Sequence, residues 1–313
     1  MDEIERIERR LKLHDVRVLV AVVQAGSMHK AAERLATSQP AVSRAIAELE
    51  HVLGVRLLDR SPSGVEPTQY GLAITKRGLA VFEELRQGVK DVEFLADPTS
   101  GELRIGCSEY AAGGPVLAVI DRLTRRHPRM VFDVVTGPVL QIHRDLVERR
   151  VELVITRIVD VVDRDDLVVE SLFDDDIVAV AASQSPWTRR RRIDLAELVN
   201  EPWTLPSHDT GIGAFAMDAF RARGLKPPGA TVVTYSMHMQ DKLLATGRFL
   251  TMLSGYTLML PRRHPSLKAL PVELNNARGT IALITLKNRT LSPLAELFIE
   301  TTRAVVRPLA RAR

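Results

Sequence analysis

One cysteine, Cys107, stands in 313 residues. No disulfide can form within the chain, so a stapled secreted scaffold is excluded. Cys107 follows a strand-like Leu-Arg-Ile-Gly and reads as a small buried residue. A redox switch would need a lowered thiol pKa and usually a resolving partner. Aromatics are scarce at 4%, so the 45% hydrophobic content is mainly aliphatic; with 26% charged residues, that is the composition of a globular chain. No run of about 18 apolar residues occurs, so no membrane span and no membrane partner are expected. The first residues, MDEIERIERRLKLHD, are charged and lack an apolar signal core, which makes the cytoplasm the expected compartment. The eight histidines show no metal-ligand spacing. No G-x-S-x-G, phosphate loop or dinucleotide fingerprint appears. Enzyme chemistry therefore has no carrier, and no cofactor or metal is expected.

Charge of one sign is also missing where it would be most telling. The net charge of +4 and pI near 9.4 lean weakly towards nucleic acid. Residues 1–97, however, carry 14 Lys/Arg against 15 Asp/Glu. Attraction to phosphate would have to come from local placement of Lys30, Arg34, Arg44, Arg56 and Arg60, doubled in a dimer, and would be strongly salt-dependent. The most basic run, Arg189–Arg192, reads as a solvated loop before a helix starting near Asp194, with a DNA-binding patch as the alternative.

The stretch the chain is organised around is AAERLATSQPAVSRAIAELEHVLG, residues 31–54. Its spacing predicts two short helices joined by a turn at Ala36-Thr37. Ser38 is placed to cap the second helix, and Pro40 falls in its first turn, where a missing N–H costs little. In that second helix, about Gln39 to Leu53, Val42, Ile46, Leu49 and Leu53 form one apolar stripe. Pro40, Ser43, Arg44, Ala47 and His51 fall opposite. That outer edge is slim, polar and basic, the profile of a helix that enters a DNA major groove; an ordinary amphipathic surface helix is the alternative. Upstream, Leu13, Val16, Leu19, Val20 and Val23 make another helical stripe ending at Gly26, and Ser27 suits the next cap. Residues 1–12 either extend that first helix or fray. Downstream, Leu57–Arg60 and Val65–Pro67 flank Ser61-Pro62-Ser63-Gly64, a hairpin with turn chemistry that reads as a wing.

The run from His14-Asp15 to Leu58-Asp59-Arg60 resembles the N-terminal winged helix-turn-helix of the LysR-type transcriptional regulators. The matching pieces are Ala-Gly-Ser before the second helix, AA-x-x-L, SQPAVSRAI and LE-x-x-LG-x-x-LLDR, spread over more than 45 residues with spacing intact. Met28-His29 departs from the pattern, where many members have an aromatic and a Thr. The resemblance implies a double-stranded DNA partner. Gln39, Ser43 and Arg44 would then make base or groove contacts, and Lys30 and Arg60 backbone contacts, with Ser27, Ser38 and Pro40 at the helix starts completing the candidate set.

Thr68 can cap a long helix, Gln69 to Ala96, whose apolar positions Phe82, Leu85, Val89, Val92 and Ala96 alternate by three and four. Gly71, Gly78 and Gly88 weaken it. Such a helix cannot bury its stripe alone. It either packs on its own domain or pairs with a second copy, and the resemblance implies a dimerising linker. A homodimer, assembling further into a homotetramer, is the expected state, and RNA polymerase is a further candidate partner.

Asp97-Pro98-Thr99-Ser100-Gly101 is the clearest break between domains. The expected domains are 1–68, 69–97 and 98–313. Beyond the break, strands and helices alternate, which predicts parallel sheets with helices on both faces. Strands at Leu167–Leu172 and Ile177–Ala182 are read as separate. The resemblance, more diffuse here, implies a two-lobed effector domain like the periplasmic binding proteins. Lobe one would take 101–173 and 268–313, lobe two 174–267, with crossings near Phe173-Asp174 and Ser266-Leu267. In open α/β sheets ligands sit beyond the carboxyl ends of strands. That rule selects Ser108, Thr136, Gly137, Thr156, Ser207, Thr210 and Ser236 as effector contacts, with plain N-capping the competing role for such residues. Hydroxyls at helix starts suggest a carboxylate-bearing metabolite. Glu109 would repel an anion unless it faces away, which keeps a neutral ligand such as a sugar open. Asp174-Asp175-Asp176 reads as a solvated hinge segment, because neighbours on a strand point to opposite faces.

The function expected is a ligand-responsive DNA-binding regulator. A solute-binding module with an N-terminal association unit is a second possibility, disfavoured by the missing export signal. A small-molecule enzyme on the α/β half is a third, without a catalytic constellation to support it.

Overall fold

The computed structural model describes residues 3–61, 64–158, 165–208, 210–228, 231–259, 266–274 and 278–311. They divide into two compact units, Met1–Gly88 and Val89–Arg313.

The first unit opens with a separate short helix, α1 (Glu3–Arg10), followed by α2 (Leu13–Ala25), α3 (Met28–Arg34) and α4 (Gln39–Leu53). Gly26 ends α2 at φ 63°, and Ser27 caps α3. Ala36 takes φ 51° in the turn before α4, and Ser38 caps α4 by accepting the Ala41 N–H at 3.4 Å. Val42, Ile46 and Leu49 are buried against Leu19, Val22 and Ala31, while Leu53 is half-buried. The hairpin pairs β1 (Leu58–Ser61) with β2 (Gly64–Pro67), antiparallel, with Leu58 opposite Pro67. Its tip, residues 62–63, lies outside the described residues. Glu50 fixes the hairpin to α4: its carboxylate accepts the N–H groups of Leu57 and Leu58 at 2.7 and 3.3 Å.

The long helix α5 (Gln69–Ala96) starts where Thr68 accepts the Gly71 N–H at 3.1 Å. Two of its glycines have a packing reason. A Cβ on Gly71 would lie 2.0 Å from the Leu57 carbonyl oxygen, and one on Gly78 would lie 2.5 Å from a Val16 methyl. The helix backbone therefore lies directly on the winged domain, at the cost in helix propensity that glycine carries. Phe82 joins the same core under the Arg17 guanidinium. Beyond it, Leu85, Val89, Val92 and Leu95 are exposed.

In the second unit β3 (Ser100–Cys107) leads into α6 (Glu109–Ala111), a π-type turn at Ala112–Val116, and α7 (Leu117–Arg126). β4 (Arg129–Thr136), α8 (Val139–Val147), β5 (Leu153–Arg157) and β6 (Leu167–Ala182) follow. Next come β7 (Trp203–Leu205), α9 (Gly211–Arg221), β8 (Thr231–Val233), α10 (Met237–Ala245), β9 (Leu250–Ser254) and α11 (Tyr256–Met259). β10 (Leu267–Ala269), β11 (Arg278–Leu286) and α12 (Pro293–Arg311) complete the unit. The strand order is β4-β3-β5-β11-β6-β9-β7-β8, with β10 also on β6. β3 pairs in parallel with β4 and β5, and β7 with β8 and β9. The sheet is mixed rather than all parallel, because β6 and β11 run antiparallel to their neighbours. Three buried clusters result. One gathers Leu103, Ile105, Leu153 and Phe298, a second Ile142, Leu146, Val154 and Ile284, and the third Trp203, Phe220, Leu205 and Met252.

β6 is one continuous strand of 16 residues, where the sequence suggested two. Its first part, through Asp176, pairs with β11, and from Ile177 it pairs with β9. The lobes are thus halves of a shared strand, and the crossing falls at Asp176-Ile177. The return crossing also lies later than expected: β10 pairs with Val180–Ala182, on the second lobe's half of β6. The acidic triplet sits at this crossing and alternates in direction, as a strand must. Asp174 accepts from Thr280 at 2.9 Å, and Asp176 faces Arg278. Asp175, expected to be solvated, is buried. Its carboxylate accepts the Tyr256 N–H at 2.9 Å and pairs with Arg157, whose side chain also donates to the Asp175 carbonyl at 3.1 Å and to Ser254 Oγ at 3.3 Å. Burial pushes the Asp175 carboxyl up, while the Tyr256 N–H and Arg157 hold it down.

Two stability tests follow from this packing. Gly71→Ala should cost about 1–3 kcal/mol, because the backbone must move. Gly88→Ala, with open space at its Cβ, should gain up to about 1 kcal/mol. Thermal or urea melts of both variants check the pair. Asp175→Ala should lose about 3–5 kcal/mol by leaving a buried guanidinium uncompensated, whereas Asp176→Ala should change stability by about 0.5 kcal/mol or less.

Candidate nucleic-acid interface and ligand cavity

On α4 the buried stripe turns the opposite edge to solvent. Gln39, Pro40, Arg44, Ala47 and His51 are exposed, and Ser43 is half-buried at the margin. The Ser27 and Ser38 hydroxyls accept helix N–H groups, at 3.5 and 3.4 Å, so both are occupied as caps. Lys30, Arg34, Arg44 and Arg56 are exposed, and among the described residues their side chains hold no ion pair. A unit with 13 Lys/Arg against 12 Asp/Glu, close to neutral, thus presents uncompensated cations around one helix edge. Arg60 lies on β1 opposite Val65; its side chain is outside the described residues.

The second unit holds a cavity of about 50 Å³ between its lobes, room for roughly three to five waters. It lies beyond the carboxyl ends of β3, β4, β5, β7 and β9, as the strand rule requires. Ser108, Gly137, Thr156 and Thr210 line it. Thr136, Ser207 and Ser236 fall outside the lining. Thr136 Oγ1 donates to the Glu109 carboxylate at 2.9 Å, the Ser207 carbonyl accepts from Thr210, and Ser236 caps α10 on the surface. Capping also occupies Ser108 and Thr210, which accept the Ala111 and Gly213 N–H groups at 3.3 and 3.1 Å. Thr156 differs: its hydroxyl is buried with no hydrogen-bond partner among the described residues.

Glu109, weighed from the sequence as a charge at the site, is in the wall; Tyr110, Arg157, Tyr235, Gln240 and Tyr256, also in the wall, were missed. Arg157 ends the apolar run Leu-Val-Ile-Thr, and a guanidinium there was the available signal. The tyrosines come from three distant segments. Gly114 admits Tyr256, since a Cβ there would lie 2.4 Å from the ring. Tyr235 donates to the Gly137 carbonyl and is pushed up to about 12, by burial first and by the Glu109 charge among the lesser causes. Cys107, fully buried, is pushed up to about 12 by burial and then Glu109, which keeps it in the unreactive thiol form.

Away from the cavity, Arg190 stacks on Trp187 and pairs with Glu197 at 2.9 Å, while Arg189, Arg191 and Arg192 are exposed. Asp194 caps only a short 3-10 turn, Leu195–Leu198. Among the described residues no group of acidic, His or Cys side chains could hold a metal, and no helix is long and apolar enough to cross a membrane.

Comparison with known proteins covers both units. The LysR substrate binding domain family matches residues 96–307, and the bacterial regulatory helix-turn-helix protein, lysR family, matches residues 13–72. The transcriptional regulator GbpR of Azospirillum brasilense is 26% identical over 299 residues, 95% of this chain and 87% of the relative. CysL of Bacillus subtilis, also an HTH-type transcriptional regulator, is 24% identical over 258 residues, 82% and 85% of the two chains. Among solved structures, a full-length OxyR variant from Pseudomonas aeruginosa has a TM-score of 0.68 at 21% identity, covering 96% of this chain and 97% of that one. The LysR family regulator CbnR has a TM-score of 0.61 at 19% identity, covering 95% and 100%. These relatives are transcriptional regulators rather than enzymes, and the family matches together span most of the sequence: the chain belongs to the LysR family of DNA-binding transcriptional regulators.

Proposed function

We propose that this regulator reads paired DNA half-sites as a homodimer through α4, and that a small molecule in the interlobe cavity sets its output. The observation that carries the DNA reading is the exposed edge of α4, with Arg44 free of any ion pair among the described residues. Gln39, Ser43 and Arg44 contact base edges, where a guanidinium fork fits guanine. Lys30 and Arg60 contact phosphates, with Ser27, Ser38 and Pro40 at the two helix starts nearest the backbone. A fold with a TM-score of 0.52 to this chain, full-length CbnR, has been solved with its target DNA, which supports the same docking here.

Exposed Leu85, Val89, Val92 and Leu95 on α5 favour pairing with a second copy, and the assembly continues to a tetramer. The effector occupies the cavity near Ser108, Gly137, Thr156 and Thr210, with Thr136, Ser207 and Ser236 acting from behind its wall. Its binding changes lobe closure and the angle between paired DNA-binding units, and RNA polymerase reads the outcome in the bacterial cytoplasm.

Arg44→Ala should weaken binding to a selected operator duplex by about 1–3 kcal/mol, roughly 5-fold to 150-fold. Its affinity for random duplex should fall far less. A mobility-shift titration checks both, and unchanged operator affinity would remove Arg44 from the interface. Leu85→Glu with Val92→Glu should keep the wild-type far-UV circular dichroism at about 20 °C, since both side chains are exposed in the single chain, yet shift sedimentation to the monomer and lower Tm by loss of the association.

A further inference from the structure

The charge and hydrogen-bond pattern of the cavity defines a ligand class. Among the described residues, two charged side chains line it, Glu109 and Arg157. Arg157 is already committed to Asp175 and Ser254. Glu109 is left to set the sign, and Asp241 adds to it at Tyr110. Capping takes up one donor at the start of α6 and one at the start of α9. The Ala111 and Gly213 N–H groups go to Ser108 and Thr210.

Besides the Arg157 Nε–H, buried without a hydrogen-bond partner among the described residues, the wall holds two hydroxyls able to accept. Among the described residues the Thr156 and Tyr256 hydroxyls are buried and have no hydrogen-bond partner. Tyr110, Tyr235 and Tyr256 add ring faces of negative potential. Pro138, Val139 and Ile212 make much of the remaining surface apolar.

We propose that the effector is a small organic cation, a primary ammonium on a compact apolar frame, with Glu109 as its charge partner. The proposal rests on the cavity being the effector site. An ammonium brings three donors and no acceptor, which matches a carboxylate and two unpaired hydroxyls. A carboxylate or phosphate in the same space would face Glu109 across a poorly screened gap. The small volume limits the frame to a few carbon atoms.

The test is thermal unfolding of the full-length chain with three four-carbon probes at about 50 mM: n-butylammonium chloride, sodium butyrate and n-butanol. n-Butylammonium should raise Tm by about 3 °C, and the other two by less than about 1 °C. Glu109→Gln, which retains an acceptor for Thr136, should melt like wild type without probe and lose the n-butylammonium shift. Val139→Trp, which fills the cavity from a half-buried position, should lose it too. If butyrate or butanol gives the larger shift and Val139→Trp abolishes it, the cavity stands as the site and the cationic assignment is overturned. If no probe moves wild type, or Val139→Trp responds as wild type does, the effector site itself is misplaced and the proposal falls with it.

Discussion

The second unit turns on one buried ion pair. Arg157 ends β5 in one lobe, Asp175 sits where β6 passes between lobes, and Ser254 and Tyr256 belong to the end of β9 and the start of α11 in the other. With Arg157 11% and Asp175 4% exposed, neither charge can return to water while the lobes hold this arrangement. Each is tolerable only beside the other. The pair therefore couples three structural decisions: where β6 changes partners, how the second lobe approaches the first, and which wall of the cavity carries a guanidinium. Replacing the pair by apolar residues could hold the lobes as firmly, but it would remove the cavity's one buried cation and change the ligand it can accept.

A different constraint organises the first unit. Val42, Ile46 and Leu49 leave α4 one way to sit, because rotating it would expose them. The solvent-facing edge is the remainder of that burial. Charge plays a local part, since the unit as a whole is not basic. Cations without ion pairs near one helix edge create the field that counts, while Glu50 is withdrawn from it by bonding the N–H groups of Leu57 and Leu58. The same residue that lowers the acidity of the surface thus pins the wing.

Much of this was legible in the residues. The caps at Ser27 and Ser38, the turn at Ala36, the hairpin strands and the start and end of α5 are local features, set by short-range sterics and hydrogen bonds that a sequence displays directly. Gly71 and Gly78 were read for their propensity cost alone, because the surfaces they approach belong to α2 and to the segment before β1. The acidic triplet was read as solvated because nothing local announces that Asp175 meets an arginine 18 residues earlier in the chain. The continuous β6 was divided in two because a strand shared by two lobes changes its pairing partner, not its pattern.

Sequence by itself determined the elements, the apolar faces they must hide and the edge of α4 left over for solvent, since periodicity and capping act within a few residues. Tertiary structure decided the composition of the cavity. Capping Ser108 and Thr210, orphaning the Thr156 hydroxyl, importing tyrosines from three segments and neutralising Arg157 all depend on contacts between residues far apart in the chain. A hydroxyl at a helix start looks the same in sequence whether it serves a ligand or its own backbone, and only the placement of its neighbours tells the two apart.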